Sequence, residues 1–406
     1  MQFSYACARS PAVDQRLAFL ENSGICSLDE YFSAISWPGD HYHVRANTLK
    51  ISAGRLLEQL VVAHPETSFE PAPFPPEAIR FDVRGPFELE ERPMKAEVDK
   101  FSAESVMMGA PLYAPGFRSP ITRFNEGDIV SMYARFKVSW DQHRHEIFCG
   151  NGRTCYPSNR IHLPVKGVVI ETTESWFSTP RIQDWPEYQD GLLLDQNLPS
   201  MLATRALDPR PGDTVLDVCC GAGGKSTHLA QLMLGKGRIV AVDRSHGKIA
   251  RLAERAARMD ISCIQPVASK TDDMAAAVGD LHPARVLIDP PCSALGLRPR
   301  PVMDLSEKEF DNFWANQERI WLHVAPFLQR GTRIVYCTCT VTLEENELLV
   351  ARILDKHGLS IVDPGFEVGH PGIEVDGISQ KEASFLRRFY PADDTIGFFI
   401  ATLEAT

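Results

Sequence analysis

The second half of the chain alternates between two hydrophobic patterns. Continuous apolar runs, for example at 214–218, 240–243 and 335–338, are followed by segments in which apolar residues recur every three or four positions. Runs of the first kind are typical of buried parallel strands, and the second spacing indicates amphipathic helices. This alternation predicts an α/β domain with a doubly wound sheet over residues 183–406.

The first 92 residues carry a mixture of patterns. A run at 42–49 is typical of a strand, and a proline-rich stretch at 71–76 then interrupts regular structure. Helical apolar spacing predicts three helices, over 15–21, 27–34 and 52–62. We expect a small α+β unit over residues 1–92. Its polar stretch 45–50 offers donors for RNA bases and phosphates, or is simply the polar face of a strand.

Between them, residues 93–182 consist of short runs rich in β-branched and aromatic residues, separated by glycines. The strand-like runs lie at 105–108, 129–137, 145–148 and 166–172. A small β-barrel or sandwich of this size suits a binding module. The turn 108–116, followed by Gly127-Asp128-Ile129-Val130, resembles the PUA domain, an RNA-binding module of modification enzymes. The alternative is a barrel without a ligand.

The composition narrows the class of protein. With 44% hydrophobic and 23% charged residues, the chain is typical of a globular protein. No apolar run reaches the roughly 20 residues of a membrane helix, and the start, Met1 to Tyr5, lacks the order of a signal peptide. We therefore expect a cytoplasmic monomer without a membrane partner.

Net charge and cysteine content bear on nucleic-acid binding, disulfide bonds and metal sites. The net charge of −11 argues against capture of nucleic acid by the field of the whole protein, although a local basic patch is compatible with it. The ten cysteines do not form the framework of a disulfide-rich domain, so reduced thiols are expected. No two Cys-x-x-Cys pairs occur at zinc-finger spacing, and no metal site is predicted.

A glycine-rich turn at 219–224 follows the apolar run 214–218. Gly224-Lys225-Ser226 is not a phosphate loop, because such a loop needs a glycine where Cys219 stands. Asp243 ends the next predicted strand about 20 residues after Gly221, the place of a carboxylate that binds an adenosine ribose. A ribose-binding carboxylate without a pyrophosphate loop fits S-adenosylmethionine better than NAD.

Two cysteines stand where strands of this sheet are predicted to end. Cys292 closes the stretch Asp289-Pro290-Pro291-Cys292, and Cys339 follows Thr338 in the next apolar run. Carboxyl ends of parallel strands meet at one rim, where α/β sheets bind ligands. A thiolate that adds to carbon 6 of cytosine activates carbon 5 for methylation, and a carboxylate at ring nitrogen 3, here Asp289, stabilises the adduct.

These motifs together resemble the Sun-type RNA cytosine-carbon-5 methyltransferases. The resemblance is carried by residues 219–228, 241–243, 289–293, 338–339 and 344–347, and it implies a Rossmann-like S-adenosylmethionine-dependent methyltransferase domain. The stretch 45–50, the PUA-like module and the segments Arg388-Phe389-Tyr390-Pro391 and Gly397-Phe398-Phe399-Ile400 resemble the branch that modifies the acceptor end of transfer RNA. The implied partner is RNA, expected to be transfer RNA.

The resemblance also implies roles for individual residues. Cys339 is the implied nucleophile, Cys292 assists elimination of the adduct, and Lys225 holds the target base or the cofactor unless it is a solvated helix lysine. Packing is the favoured role for the side chains of Cys337, Cys219 and Cys220. The expected cofactor-binding positions are Cys219, Cys220, Gly221, Ala222, Gly223, Gly224, Lys225, Asp243, Lys248, Ser269 and Asp289. The expected RNA contacts are Arg45, Asn47, Tyr113, Arg298 and Arg300.

Some positions depart from the family pattern. Ser269 stands where an acidic residue usually contacts the cofactor base, and Asp272 is the alternative donor of that carboxylate. Met108 stands where the PUA-like module usually has a basic residue. The alternatives are a cytosine methyltransferase acting on ribosomal or other RNA, an enzyme acting on DNA or protein, and an inactive RNA-binding scaffold.

Overall fold

The computed structural model describes residues 7–138, 141–161 and 166–406. The start of the chain considered above, and the segments 139–140 and 162–165 of the predicted barrel, lie outside the described residues. The chain divides into two compact units. The first comprises the residues up to Asp40, Asp82–Arg181 and Arg298–Ser306. The second comprises His41–Phe81, Ile182–Leu297 and Glu307–Thr406. The predicted segment 1–92 is thus shared between the two units.

The strands of the described residues follow in chain order: β1 Ala8–Arg9, β2 His41–Ala46, β3 Phe69–Pro71, β4 Ala78–Asp82, β5 Lys95–Val98, β6 Leu112–Tyr113, β7 Phe117–Pro120, β8 Ile129–Val138, β9 Asp141–Thr154, β10 Val168–Ser175, β11 Leu193–Asp195, β12 Thr214–Val218, β13 Arg238–Asp243, β14 Ile264–Ala268, β15 Arg285–Ile288, β16 Val302–Met303, β17 Arg333–Thr338, β18 Leu359–Ile361, β19 His370–Pro371, β20 Arg387–Phe389 and β21 Phe398–Ala405.

The α-helices of the described residues are α1 Pro11–Leu17, α2 Phe19–Asn22, α3 Leu28–Ser36, α4 Ala53–Ala63, α5 Lys100–Met107, α6 Pro186–Gln189, α7 Leu198–Ala206, α8 Gly224–Leu232, α9 His246–Arg258, α10 Met274–Val278, α11 Glu307–Val324, α12 Leu349–His357 and α13 Gln380–Ala383. A π-helical turn, Glu344–Leu348, leads into α12. No helix in the described part of the chain is long and apolar enough to cross a membrane.

The first unit is built on a sheet of strand order β6-β10-β9-β8-β5-β7, in which β5 and β8 are parallel and the other neighbours antiparallel. Its apolar core includes Val98, Met132, Ile170 and Trp176. The runs predicted at 129–137, 145–148 and 166–172 fall on β8, β9 and β10, which confirms them as strands.

The strand predicted at 105–108 is wrong, because these residues end helix α5. Asp99 caps that helix: its side chain accepts hydrogen bonds from the backbone N–H groups of Phe101 and Ser102, each at 2.8 Å. Ala103, Val106 and Met107 recur at helical spacing and are buried in the core. The apolar residues of this segment therefore cover the sheet instead of joining it.

The second unit contains two sheets. The smaller, of order β11-β2-β4-β3, packs against α4 through Leu56 and Leu60, so the helix predicted at 52–62 is confirmed. Ser52 starts α4, since its side chain accepts a hydrogen bond from the N–H of Arg55. The strand predicted at 42–49 ends earlier, at Ala46, where the chain turns.

The larger sheet has the order β14-β13-β12-β15-β17-β21-β20-β19, with β18 also paired to β21. Strands β14, β13, β12, β15 and β17 are mutually parallel, and β21 runs antiparallel to β17. Side chains alternate between faces: Val215 and Leu287 pack with helices α7, α8 and α9, whereas Leu216 and Ile288 pack with α11 and α12. This is the predicted doubly wound architecture, and it brings the carboxyl ends of β12, β13, β15 and β17 to one rim.

Candidate active site

The two predicted thiols meet at this rim. Cys292 lies in the loop after β15 and Cys339 directly after β17, and these strands are parallel neighbours. Their Sγ atoms are 3.3 Å apart, and both residues are half-buried. The structure thus brings together the two thiols that the sequence places in separate motifs.

Asp289 and Lys225 form an ion pair beside the thiols. The Lys225 Nζ atom, on the first turn of α8, donates to Asp289 Oδ2 at 2.7 Å and lies 5.5 Å from the ring centre of Phe398. Burial alone would lower the pKa of Lys225, but the Asp289 carboxylate outweighs it and holds that pKa above its usual range. The buried Cys337 Sγ lies 3.7 Å from Asp289 Oδ1. Lys225 is therefore a fixed cation at the site and not a solvated lysine.

The surroundings of Cys292 disfavour its thiolate form. The hydrogen bond to Cys339, followed by burial and the negative charge of Glu345, raises the pKa of Cys292 well above its usual value. A thiol in that state retains its proton at neutral pH. This suits Cys292 to proton transfer or hydrogen bonding better than to attack as a thiolate.

The glycine-rich turn links β12 to α8. Gly223 has φ +82°, and a Cβ added there would lie 2.0 Å from Cδ1 of Leu252 on α9, so only glycine allows this turn to pack. Gly221 has φ +59°, and a Cβ added there would meet nothing within 4 Å. Open space therefore lies above Gly221, while Gly223 anchors the turn to the helix beneath. Cys219 and Cys220 pack into the cores on opposite faces of the sheet.

Asp243 ends β13 next to this turn. Its Oδ2 accepts the N–H of Gly221 at 3.0 Å, and its Oδ1 accepts the N–H of Ser245 at 2.8 Å. Lys248 Nζ lies 4.0 Å from Oδ2. These donors fix the carboxylate beside the open turn, where it can accept the two hydroxyls of a ribose. The residues present fit S-adenosylmethionine.

Ser269 and Asp272 were the alternatives for the cofactor base. The N–H of Ser269 donates to the carbonyl oxygen of Asp243 at 3.1 Å, which places this residue beside the ribose carboxylate. Asp272 instead lies 3.5 Å from Arg319 and 3.3 Å from His323, both on α11. The geometry favours Ser269 for this position.

Arg45 and Asn47, predicted to contact RNA, are completely buried. The Arg45 guanidinium donates to the Gly224 carbonyl at 2.9 Å and the Thr227 hydroxyl at 2.8 Å. The Asn47 amide donates to the carbonyls of Gly191 and Met259 at 2.8 and 3.0 Å. Both side chains are enclosed in the protein and bind its own carbonyl and hydroxyl groups, so the expectation that they contact RNA is corrected.

The remaining RNA candidates lie in the first unit. Tyr113 is 55% exposed and retains its place as a candidate contact. Arg298 donates to the carbonyls of Trp37 and Pro38 at 2.8 and 2.7 Å, and Arg300 pairs with Glu104 at 3.2 Å. These two arginines hold the segment Arg298–Ser306 to its own unit. They are not retained as RNA contacts.

A buried polar cluster surrounds His228 of α8 and was not predicted from the sequence. The Nε2 atom of His228 lies 2.6 Å from Oε1 of Glu77, and Arg205 forms a two-pronged ion pair with the same carboxylate. Burial lowers the pKa of His228 to about 4, and the two partners hold the pKa of Glu77 well below its usual range against the opposite effect of burial. The cluster links the start of β4 to helices α7 and α8, and α8 carries Lys225 of the site. No local motif marks it, because Glu77 and His228 are 151 residues apart in sequence.

A doubly wound sheet with a glycine turn, a ribose-type carboxylate and no phosphate loop in that turn is typical of S-adenosylmethionine-dependent methyltransferases. The family model for 16S rRNA methyltransferase RsmB/F matches residues 204–404. The chain is 31% identical to the tRNA (cytosine(72)-C(5))-methyltransferase of Pyrococcus horikoshii, over 90% of each chain. It is also 31% identical to human tRNA (cytosine(72)-C(5))-methyltransferase NSUN6, over 75% of this chain and 68% of the human one.

The crystal structure of NSun6 from Pyrococcus horikoshii with SFG, an S-adenosylmethionine analogue, superposes with a TM-score of 0.82 and 29% identity, covering 98% of this chain and 99% of that one. The chain belongs to the Sun-type RNA cytosine-carbon-5 methyltransferase family. It is an S-adenosylmethionine-dependent RNA cytosine-5 methyltransferase. The named relatives favour this activity over the inactive scaffold and over an enzyme acting on DNA or protein.

Proposed function

We propose that this enzyme methylates carbon 5 of a cytidine near the acceptor end of transfer RNA, at the position that its relatives modify. The observation that carries the proposal is the pair of thiols 3.3 Å apart beside the Asp289–Lys225 ion pair. Support for the RNA comes from relatives named for cytosine 72 of tRNA that match 90% and 75% of this chain.

Cys339 is the proposed nucleophile. Its thiolate adds to carbon 6 of the cytosine ring, and the electron density this places on carbon 5 makes that atom reactive toward a methyl donor. Bound S-adenosylmethionine supplies the methyl group. We assign its binding to the turn 219–224, Lys225, Asp243, Lys248, Ser269 and Asp289.

Asp289 and Lys225 stabilise the ring while it is attached. Addition at carbon 6 shifts electron density toward ring nitrogen 3, which then takes up a proton from solvent, and the Asp289 carboxylate holds the adduct by accepting a hydrogen bond from that N–H group. Lys225 keeps the carboxylate oriented through its 2.7 Å contact and supplies positive charge next to the developing anion. The Asp289–Lys225 pair therefore stabilises the covalent adduct both before and after methyl transfer to carbon 5.

Cys292 assists the last step. After methylation, a base must take the proton from carbon 5 so that the Cys339 sulfur can leave carbon 6 with the bonding electrons. Cys292 lies close enough to Cys339 to hold, by a hydrogen bond from its thiol, a water molecule that takes the proton from the adjacent ring atom. Without it, the enzyme is expected to remain attached to its substrate.

Recognition of the RNA is assigned to the first unit. We propose that residues 93–182 form a PUA-like RNA-binding module and that residues 183–406 form the catalytic domain, with Tyr113 of the module offering an exposed aromatic ring for stacking. Taking a base out of its stack costs a few kcal/mol, and we expect this cost to be least for an unpaired or terminal cytidine. We further propose that the enzyme acts as a cytoplasmic monomer.

The test is incubation of the purified enzyme with an unmodified transfer RNA transcript and methyl-labelled cofactor, followed by mapping of the label. We expect label at one acceptor-end cytidine and none in a transcript carrying uridine there. Cys339→Ala enzyme is the matched control for contaminating activity. Label in a ribosomal RNA fragment but not in the transcript would replace the transfer RNA assignment by the ribosomal alternative that the RsmB/F family name represents.

A further inference from the structure

Glu345, in the π-helical turn Glu344–Leu348, is a buried carboxylate with a full set of donors. Only 1% of its surface is exposed. Its Oε2 accepts the N–H of Ser293 at 3.0 Å and the Nε2 of Gln317 at 2.8 Å. Its Oε1 accepts the hydroxyl of Thr342 at 3.1 Å and that of Ser293.

Two of these donors belong to the loops that carry the thiols. Ser293 directly follows Cys292, and the Ser293 hydroxyl lies 2.7 Å from the hydroxyl of Thr340, which directly follows Cys339. The Glu345 carboxylate thus binds Ser293, next to Cys292, and Ser293 in turn binds Thr340, next to Cys339. The two sequence motifs, 47 residues apart, are joined at this point.

A role in packing alone does not account for Glu345. A buried carboxylate costs free energy unless its lone pairs are all used, and an apolar residue of the same size fills space without that cost. Hydrogen bonds, unlike apolar contacts, fix direction as well as distance. Burial also raises the pKa of Glu345, which shows how far its carboxylate is removed from water.

We propose that Glu345 is a positioning residue that sets the separation of the Cys292 and Cys339 sulfurs through Ser293 and Thr340. The two sulfurs have to reach adjacent atoms of one ring, so an error of about 1 Å in their separation is expected to cost about 100-fold in turnover. This effect on turnover rests on the proposed function. The effect on the sulfur separation does not.

The separation can be measured without RNA. Diamide oxidises two neighbouring thiols to a disulfide and is itself reduced to a hydrazine, taking up the two protons and two electrons. The rate at which Cys292 and Cys339 become linked, followed by mass spectrometry of the joined peptides, reports how often the sulfurs meet. Methylation of transfer RNA is measured in parallel on the unoxidised enzyme.

Glu345→Ala and Glu345→Gln are the informative variants. Glutamine keeps the shape: its carbonyl oxygen accepts from Ser293 N–H and Gln317, and its amide donates to the hydroxyls of Ser293 and Thr342, which accept as well as donate. We expect Glu345→Ala to link its thiols at least tenfold more slowly than the wild type and to lose about 100-fold in kcat with unchanged cofactor affinity. Glu345→Gln is expected to restore both to within a few-fold.

Two further variants serve as controls. Glu187→Ala removes another buried carboxylate of the same unit, one bound to His64 and not to either thiol loop, and should leave the linking rate unchanged. Thr340→Val removes only the bridging hydroxyl at constant shape and should slow linking several-fold. It provides the test if Glu345→Ala does not fold.

The outcomes separate the two proposals. Wild-type linking rates in both Glu345→Ala and Thr340→Val would overturn the positioning role, and so would slow linking in Glu345→Gln equal to that in Glu345→Ala. If the linking rates follow the expected order but the wild-type enzyme methylates no cytidine, the positioning role stands and the proposed function fails.

Discussion

The large sheet carries cysteine and aspartate at two depths, in its interior and at its rim. Cys337 and Asp217 lie within β17 and β12 and are completely buried, whereas Cys339 and Asp289 follow the ends of β17 and β15 and are half-buried. Cys337 packs with the helices of one face, and Asp217 accepts the Ser226 hydroxyl at 2.6 Å. Depth along the strand, and not residue type, decides which groups are available for chemistry.

Replacing Cys339 and Cys337 one at a time tests whether the position along β17 decides the role of a cysteine. Cys339→Ala is expected to abolish methylation, because no thiol remains to attack carbon 6. Cys337→Ala should keep activity within a few-fold and lose about 1 kcal/mol of stability from the cavity it leaves. Steady-state methylation and urea unfolding measure the two effects. Equal loss of activity in both variants would contradict the distinction between rim and interior.

The second prediction divides the two rim thiols from each other. Cys292→Ala still attacks and methylates, but elimination is impaired, so a covalent enzyme-RNA species should accumulate and survive denaturing electrophoresis. Cys339→Ala should form none. If the trapped species appears with Cys339→Ala and not with Cys292→Ala, the roles of the thiols are reversed.

A third prediction concerns the rim carboxylate of β13. Asp243→Ala should weaken S-adenosylmethionine binding by about 1.5–3 kcal/mol for each charge-assisted hydrogen bond lost, or roughly 10- to 150-fold, while the fold persists. Isothermal titration calorimetry measures the change. Asp272→Ala is the matched control and should bind normally, since its partners are Arg319 and His323. Weak binding by Asp272→Ala together with normal binding by Asp243→Ala would contradict the assignment of the ribose to Asp243.

The smallest expected effect is a pH dependence from the interior carboxylate. Burial raises the pKa of Asp217 to about 7, against about 3.9 in an unfolded chain. The folded state therefore binds a proton that the unfolded state has released, and the stability this confers is lost as the pH rises from about 4 to 7. The free energy of unfolding of Asp217→Asn minus that of the wild type should be larger at pH 8 than at pH 5, as measured by urea unfolding. A difference that is constant with pH would contradict the raised pKa.

Much of the sheet and its rim could be predicted because the signals are local. The apolar runs 214–218 and 335–338 each became a strand of the large sheet, and the rule that parallel strands share a rim brought Cys292 and Cys339 together. The glycine turn and Asp243 followed from spacing alone. For these features, the chain within about 30 residues contains the information that is needed.

The errors arose where the deciding partner is distant in sequence. Arg45 is of a residue type that often contacts RNA, but its buried guanidinium donates a hydrogen bond to Thr227, 182 residues later in the chain. The error at 105–108 has a different, local cause, because Asp99 caps a helix that begins at Lys100 and includes Val106 and Met107. Glu345 was noticed only as part of a motif, because its hydrogen bond to Ser293 spans 52 residues.

The small sheet has a consequence for how the protein is made. Strand β2 pairs with β11, and Glu77 reaches His228 only 151 residues later in the chain. At a synthesis rate of about 5–20 residues per second, residues 41–81 wait roughly 8–30 s for these partners, while the intervening residues of the other unit emerge. Throughout that interval the charged Arg45 of β2 lacks its native partners Gly224 and Thr227, although Val44 can already pack with α4 and β4. Substitutions in this early segment should therefore lower the yield of folded enzyme during synthesis more than they alter the catalysis of molecules that have matured.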